Sequence, residues 1–340
     1  MLKELFFNNN LQKDICFLLM AKFTFALTLY LILAILLDKN MFLYPDFVKT
    51  YSNCSQLYTN IFYTKFFCGI SNITNISFSH KSFEIIVLAA MVNSCIAIYY
   101  YKYLYAYLTR KGQLILIAFL AFHPYMAVYF FRFYTEIFGS LGILLIFSYA
   151  YKQKDINAIF ILFGFLLINF RNALIPVFFM YGLYEIVKNI HYKKSAKIYP
   201  FLLLGICFVS YLPLIEFSLV FTNLGSVYGN SILDNIVYTL GFRESVSISG
   251  GGFGSFLQTG YLGYIQIIIS LFLIFIHILG FFGILKFSIK NNISIMICFT
   301  YLILPVFSIS HMRYLLPLMP ILLFGFCYIF FKVEKVIENV

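Results

Sequence analysis

The sequence predicts an all-α, polytopic membrane protein of about ten transmembrane helices. Three observations predict it. The chain of 340 residues is 62% hydrophobic and only 11% charged, against about 25% charged in soluble domains. Its apolar residues fall into long runs separated by short polar stretches, so lipid is the solvent for most of the surface. Those stretches hold the positive charge in short clusters, which is a pattern of membrane topology. The net charge of +11 is therefore not a nucleic-acid face, and no nucleic-acid partner is expected.

The apolar runs read as helices because unpaired backbone is not tolerated in lipid. In order they cover 16–37, 83–104, 113–131, 134–151, 156–171, 173–188, 198–220, 261–286, 293–310 and 314–332; the alternative for 113–151 and 156–188 is broken or tilted helices, which would change the count by two. The first lacks a small-residue cleavage site and is expected to be retained. The whole chain reads as a single transmembrane domain, 1–340. One set of loops carries Lys3, Lys13, Arg110, Lys111, Lys152, Lys154, Lys188, Lys193, Lys194, Lys197, Lys286, Lys290, Lys332 and Lys335. The inside-positive bias makes that side cytoplasmic, with both termini inside, in the plasma (inner) membrane. Two long loops, 38–82 and 221–260, then face out.

Seven cysteines show no CxxC spacing. Cys16, Cys95, Cys207, Cys298 and Cys327 lie in or beside apolar runs and read as packing residues. Cys54 and Cys68 share the first outer loop, where an oxidising compartment permits a disulfide. Asn53, Asn72 and Asn75 stand in glycosylation sequons in that loop, relevant only where the machinery exists.

Four of the five arginines fall on the outer side: Arg132, Arg171, Arg243 and Arg313. The inside-positive bias does not explain them. A guanidinium presents a planar fork that suits phosphate and carboxylate; the simpler alternative is snorkelling or pairing with a nearby acid. Asp46 follows Tyr44-Pro45, a stiff turn near the membrane surface, where a carboxylate is placed as a general base needs. Asp38 is the alternative. Arg132 and Glu136 share a helical face at i,i+4. His123-Pro124 reads as a proline-kinked helix, with His123 structural. Arg243 and Glu244 precede glycines at 250, 251, 252 and 254, a glycine-rich loop without the context of a phosphate-binding P-loop. The metalloprotease and serine-hydrolase motifs are missing from the sequence.

With these residues in place, the chain resembles the GT-C-type integral membrane glycosyltransferases, multi-span enzymes that use polyprenyl-phosphate sugars on the outer or lumenal face. Four features carry the resemblance: Tyr44-Pro45-Asp46 early in the first outer loop, the Arg132–Glu136 element "RFYTE", Arg171 with Pro176 after it, and "HMRYLLPLMP" from His311 to Pro320. The last resembles a His-x-Arg-Tyr-Leu-Leu-Pro-Leu-x-Pro ending. The resemblance implies that Asp46 is the base that activates an acceptor hydroxyl. It implies that His311 and Arg313, with Arg243 and Arg171, hold the phosphate of the donor lipid. Arg132, Glu136 and Glu244 complete the expected substrate site. The partners implied are a polyprenyl-phosphate-linked sugar, membrane lipid, and a glycan, lipid or protein acceptor in cell-envelope synthesis. The chain departs from the pattern in lacking the large C-terminal soluble domain of some relatives. It also lacks the paired acids of metal-using members, so no metal or cofactor is expected.

Two other readings compete. A polysaccharide polymerase of the O-antigen or capsule type also needs outer arginines. A lipid-linked-sugar flippase or transporter predicts charges at mid-membrane depth. No matching polar cluster is expected within the helices, since Glu216 and Asn169 lie near outer ends, and no internal repeat is visible.

Overall fold

The computed structural model describes residues 9–37, 83–131, 135–192, 197–227, 261–291, 293–304 and 312–333. These residues are mainly helical, with no strand among them. In chain order the helices are α1 (Asn9–Leu37), α2 (Phe83–Leu104), α3 (Arg110–Phe122), α4 (Pro124–Val128), α5 (Thr135–Tyr151), α6 (Ala158–Phe170), α7 (Ile175–His191), α8 (Ile198–Val227), α9 (Tyr261–Lys290) and α10 (Met319–Phe331). Four further segments among the described residues are 3₁₀: Tyr105–Tyr107, Asn172–Leu174, Ile293–Leu302 and Met312–Leu318. Among the described residues, five stretches are long and apolar enough to cross a membrane: Asn10–Ile32, Ile86–Tyr107, Asn172–His191, Leu271–Lys290 and Tyr314–Phe331.

The boundaries differ from the sequence expectation in ways with physical causes. Residues 113–131 do not form one helix. Pro124 has no N–H, so α3 ends at Phe122, and His123 serves as both its C-cap and the N-cap of α4. The expected helix 293–310 is 3₁₀ as far as Leu302. At about 2.0 Å rise per residue, ten residues span more depth than an α-helix would. α8 continues to Val227, into the segment expected to begin the second outer loop. α1 starts at Asn9 rather than 16, which brings Asp14 into the helix.

α10 is the centre of the bundle. Of its spanning window 67% is buried, against 22% for α1, as befits a helix that is apolar all round. It lies against α9 along a seam of small residues. Gly280 and Gly283 face the backbone of Leu322 and Gly325, and a Cβ at any of the three glycines would overlap the opposing main chain. Such close approach suits helix pairs in lipid, where the hydrophobic effect does not drive association. Outward-facing Met20, Ile159, Phe208, Phe272 and Phe275 present the apolar surface that lipid would cover. Cys207, Cys298 and Cys327 are buried as packing residues, but Cys16 and Cys95 are exposed on helix faces. For those two the packing expectation is wrong.

The bundle has two distinct ends. At one, Arg110 of α3 holds Asp14 of α1 through Nη2–Oδ1 at 2.7 Å, and Tyr101 of α2 donates to the same carboxylate at 2.7 Å. The turn after α2 pairs with the chain leaving α10, Thr109 N to Phe331 O at 2.8 Å and Val333 N to Tyr107 O at 3.0 Å. Tyr107 meets Tyr151 at the end of α5, and Lys197 pairs with Asp155. The lysines assigned to one side by sequence that fall in the described residues belong to these same helix ends. α5 has 17 residues and therefore carries the chain about 25 Å to the opposite end.

Candidate functional site

The far end of α5 begins with Thr135 and Glu136. Phe138 stacks on Phe170 with centroids 4.4 Å apart and planes 12° apart, which fixes the start of α5 against the end of α6. The next residue, Arg171, caps α6 in an extended conformation, its N–H still donating to Leu167 O at 2.8 Å. That break in helical geometry turns the side chain back into the bundle. The guanidinium then meets four other residues from three segments.

Arg171 Nε donates to Tyr301 Oη at 3.0 Å. Nη1 donates to Thr135 Oγ1 at 3.3 Å, and that hydroxyl donates to Glu136 Oε2 at 3.2 Å. Nη2 lies 3.5 Å from Glu136 Oε1, with side chains 16% and 4% exposed. The guanidinium carbon sits 4.8 Å from the centre of the Tyr314 ring. The charge is thus answered by a carboxylate, two hydroxyls and a ring face, which is what an arginine in an apolar setting requires. Gly139 makes the approach of Tyr301 possible: an added Cβ there would lie 2.5 Å from Tyr301 Oη.

Of the residues expected to form the site, Arg171 and Glu136 are brought together. The sequence pairs Glu136 with Arg132 at i,i+4; the structure shows an ion pair between Glu136 and Arg171. Arg313 lies in the 3₁₀ segment Met312–Leu318, next to Tyr314, and its side chain lies outside the described residues. So do Asp38, Asp46, Arg132, Arg243, Glu244 and His311, the glycines at 250–254, the Cys54–Cys68 pair and the three sequons. Along the chain, Arg132 precedes Thr135 by three positions and His311 precedes Tyr314 by three. Tyr301 and Tyr314 were not singled out by sequence. Tyr314 was visible within "HMRYLLPLMP", but Tyr301 carries no local signal.

A second polar group lies within the bundle, where none was expected. Pro124 leaves Leu120 O, four residues earlier, without its helical donor. Lys22, 1% exposed in the middle of α1, donates to that carbonyl at 3.0 Å and lies 5.5 Å from the Phe130 ring centre. Beside it, His123 Nε2 and His277 Nε2 of α9 approach to 3.4 Å, and His123 Nδ1 accepts from Met126 N at 3.4 Å. Asn93 of α2 serves the unwound turn after α4, donating to Phe130 O at 3.0 Å. The expected structural role of His123 is met by this capping. The lone lysine in "LLMAKFTFAL" was the available signal for the rest.

Compared with known proteins, the chain matches no family model, no curated protein and no solved structure.

Proposed function

We propose that the protein is a GT-C-type glycosyltransferase of about ten spans in the plasma membrane, with the arginine end outside and both termini in the cytoplasm. It transfers a sugar from a polyprenyl-phosphate donor to an acceptor on the outer face. The observation that carries this reading is the Arg171 cluster. It brings together Thr135, Glu136, Arg171, Tyr301 and Tyr314 at one end of the bundle, and Arg313 is next to Tyr314 in the same 3₁₀ segment. In the reaction the bond from the anomeric carbon to the donor phosphate breaks and a bond to the acceptor oxygen forms. Negative charge develops on the leaving polyprenyl phosphate, and fixed guanidinium groups stabilise it without reorganising. Asp46 takes the acceptor proton. Arg171 contacts protein through each of its three nitrogens, and a guanidinium has five N–H groups, so donors remain for a phosphate oxygen. On this reading Arg243 and Glu244 also bind the donor.

A polymerase would use the same arginines on a lipid pyrophosphate. The flippase reading gains one observation, the buried Lys22–His123–His277 group. That group is better explained by the break at Pro124, because the lysine is bonded to the carbonyl that the proline orphans. The test is transfer from polyprenyl-phosphate-linked sugars in membrane vesicles, wild type against Asp46→Asn. The proposal expects transfer by the wild type and its loss in a variant that is still folded and inserted. Undiminished transfer by Asp46→Asn removes that residue from the mechanism, and no turnover of any such donor by the wild type overturns the enzyme reading.

A further inference from the structure

Two spanning stretches, Asn172–His191 and Leu271–Lys290, finish at the lysine end of the bundle. Each has 20 residues, about 30 Å of helix, so their last residues stand at the depth of lipid headgroups. At that depth a cavity of about 470 Å³ opens between the C-terminal ends of α5, α7 and α9. Its mouth carries the exposed side chains of Gln153, Tyr192, Ile289 and Lys290.

The charge left over on this surface is positive. Glu185, the carboxylate of the lining, is buried and already holds Lys188 at 3.2 Å. Asp14 and Asp155 at the same end are held by Arg110 and Lys197. Lys290 has no ion pair or hydrogen bond among the described residues. Helix C-termini ordinarily repel an anion, but here the last carbonyls are engaged. Tyr149 O and Ala150 O accept from Lys154 N and Gln153 N, and Phe287 O accepts from both Asn291 nitrogens.

Gln153 adds a second donor at the mouth. It ends α5 with φ 49°, the left-handed position where glycine is usual and a side chain is strained. Its amide has no hydrogen-bond partner among the described residues, so the side chain kept at that cost serves no contact within the fold. An amide donor and an ammonium suit a phosphate oxygen. The neighbouring surface decides where such a phosphate comes from. Ile289 stands beside Lys290, and Val187 and Ile190 of α7 are exposed as well. These apolar side chains suit acyl chains, which a soluble anion lacks.

We infer that this cavity binds the phosphate diester of an anionic phospholipid, with Lys290 and Gln153 as its donors and the acyl chains along α7 and α9. Basic pockets between spanning helices hold lipid headgroups in this way. The inference does not rest on the transferase reading. It is tested by binding of radiolabelled phosphatidylglycerol, and of phosphatidylcholine with the same chains, to the purified full chain in neutral detergent. The expected result is phosphatidylglycerol bound at least about fivefold more tightly. Lys290→Gln should weaken it about five- to tenfold, the loss of one charge-assisted hydrogen bond. Gln153→Gly should weaken it about threefold and raise the unfolding temperature, because glycine relieves the backbone. Lys111→Gln, which removes an exposed lysine of the same end outside the cavity, should leave binding unchanged. Equal affinity for the two lipids overturns the inference. So does an equal loss in Lys111→Gln, which would reduce the effect to general attraction between lysines and anionic lipid. Displacement of the lipid by inorganic phosphate at tens of millimolar would overturn the lipid assignment in favour of a soluble phosphate. Binding lost in Arg313→Ala but kept in Lys290→Gln would overturn it by placing the lipid at the opposite end.

Discussion

The two ends of the bundle each bury a glutamate against a cation, but they do so differently. Glu185 and Lys188 are i,i+3 on one helix, and their contact follows from local geometry. Glu136 and Arg171 stand on different segments and need Thr135, Tyr301 and Tyr314 to complete the arrangement. The lysine pair forms wherever α7 forms. The arginine cluster forms only when the bundle is assembled, and it is held by several fixed groups at once. That preorganisation suits a group that must receive developing charge without moving. The lysine pair is a neutralised wall.

The largest expected effect follows from breaking the assembled side. Arg171→Ala leaves Glu136 buried opposite no guanidinium and should cost about 3 kcal/mol or more, together with donor turnover. Unfolding in mixed micelles measures the first and the vesicle transfer assay the second. If the cost is below about 1 kcal/mol, the cluster is not the fixed unit described. Gly139→Val should come next, at about 1–3 kcal/mol for forcing a side chain into Tyr301, and it should reduce turnover without touching a charge. A double-mutant cycle with Tyr301→Phe checks the route, because the coupling vanishes if Gly139 acts elsewhere. Lys22→Met keeps the volume but orphans Leu120 O, for about 1–2 kcal/mol; a stability equal to wild type would mean that another donor serves the break. The smallest effect is expected on the lysine side. Lys197→Ala removes a half-exposed pair with Asp155 and should change stability by no more than about 1 kcal/mol, with transfer unaltered.

This contrast also marks what sequence could reveal. The helical segments were legible because lipid demands long apolar runs with satisfied backbone. The break at His123-Pro124 was legible because proline acts locally. The lysine clusters were legible because charges gather between apolar runs, and the described lysines of that set fall at the end of the bundle opposite Arg171. Arg171 and Glu136 were both singled out, but not as partners, since 35 positions separate them and i,i+4 spacing pointed to Arg132 instead. Tyr301 is one of 28 tyrosines and becomes distinct only when a 3₁₀ segment carries it beside Gly139. Lys22 and His277 likewise acquire a role only through the carbonyl and the histidine that tertiary packing brings to them.

The central claim, that the arginine end receives the phosphate of a lipid-linked donor, is tested most directly by equilibrium binding of polyprenyl phosphate to the purified protein. Wild type is compared with Arg313→Ala and, at the lysine end, Arg110→Ala. The account predicts clear binding that falls at least about tenfold, or 1.4 kcal/mol, in Arg313→Ala and is unchanged in Arg110→Ala. Equal binding by all three proteins, or binding by none, would contradict it.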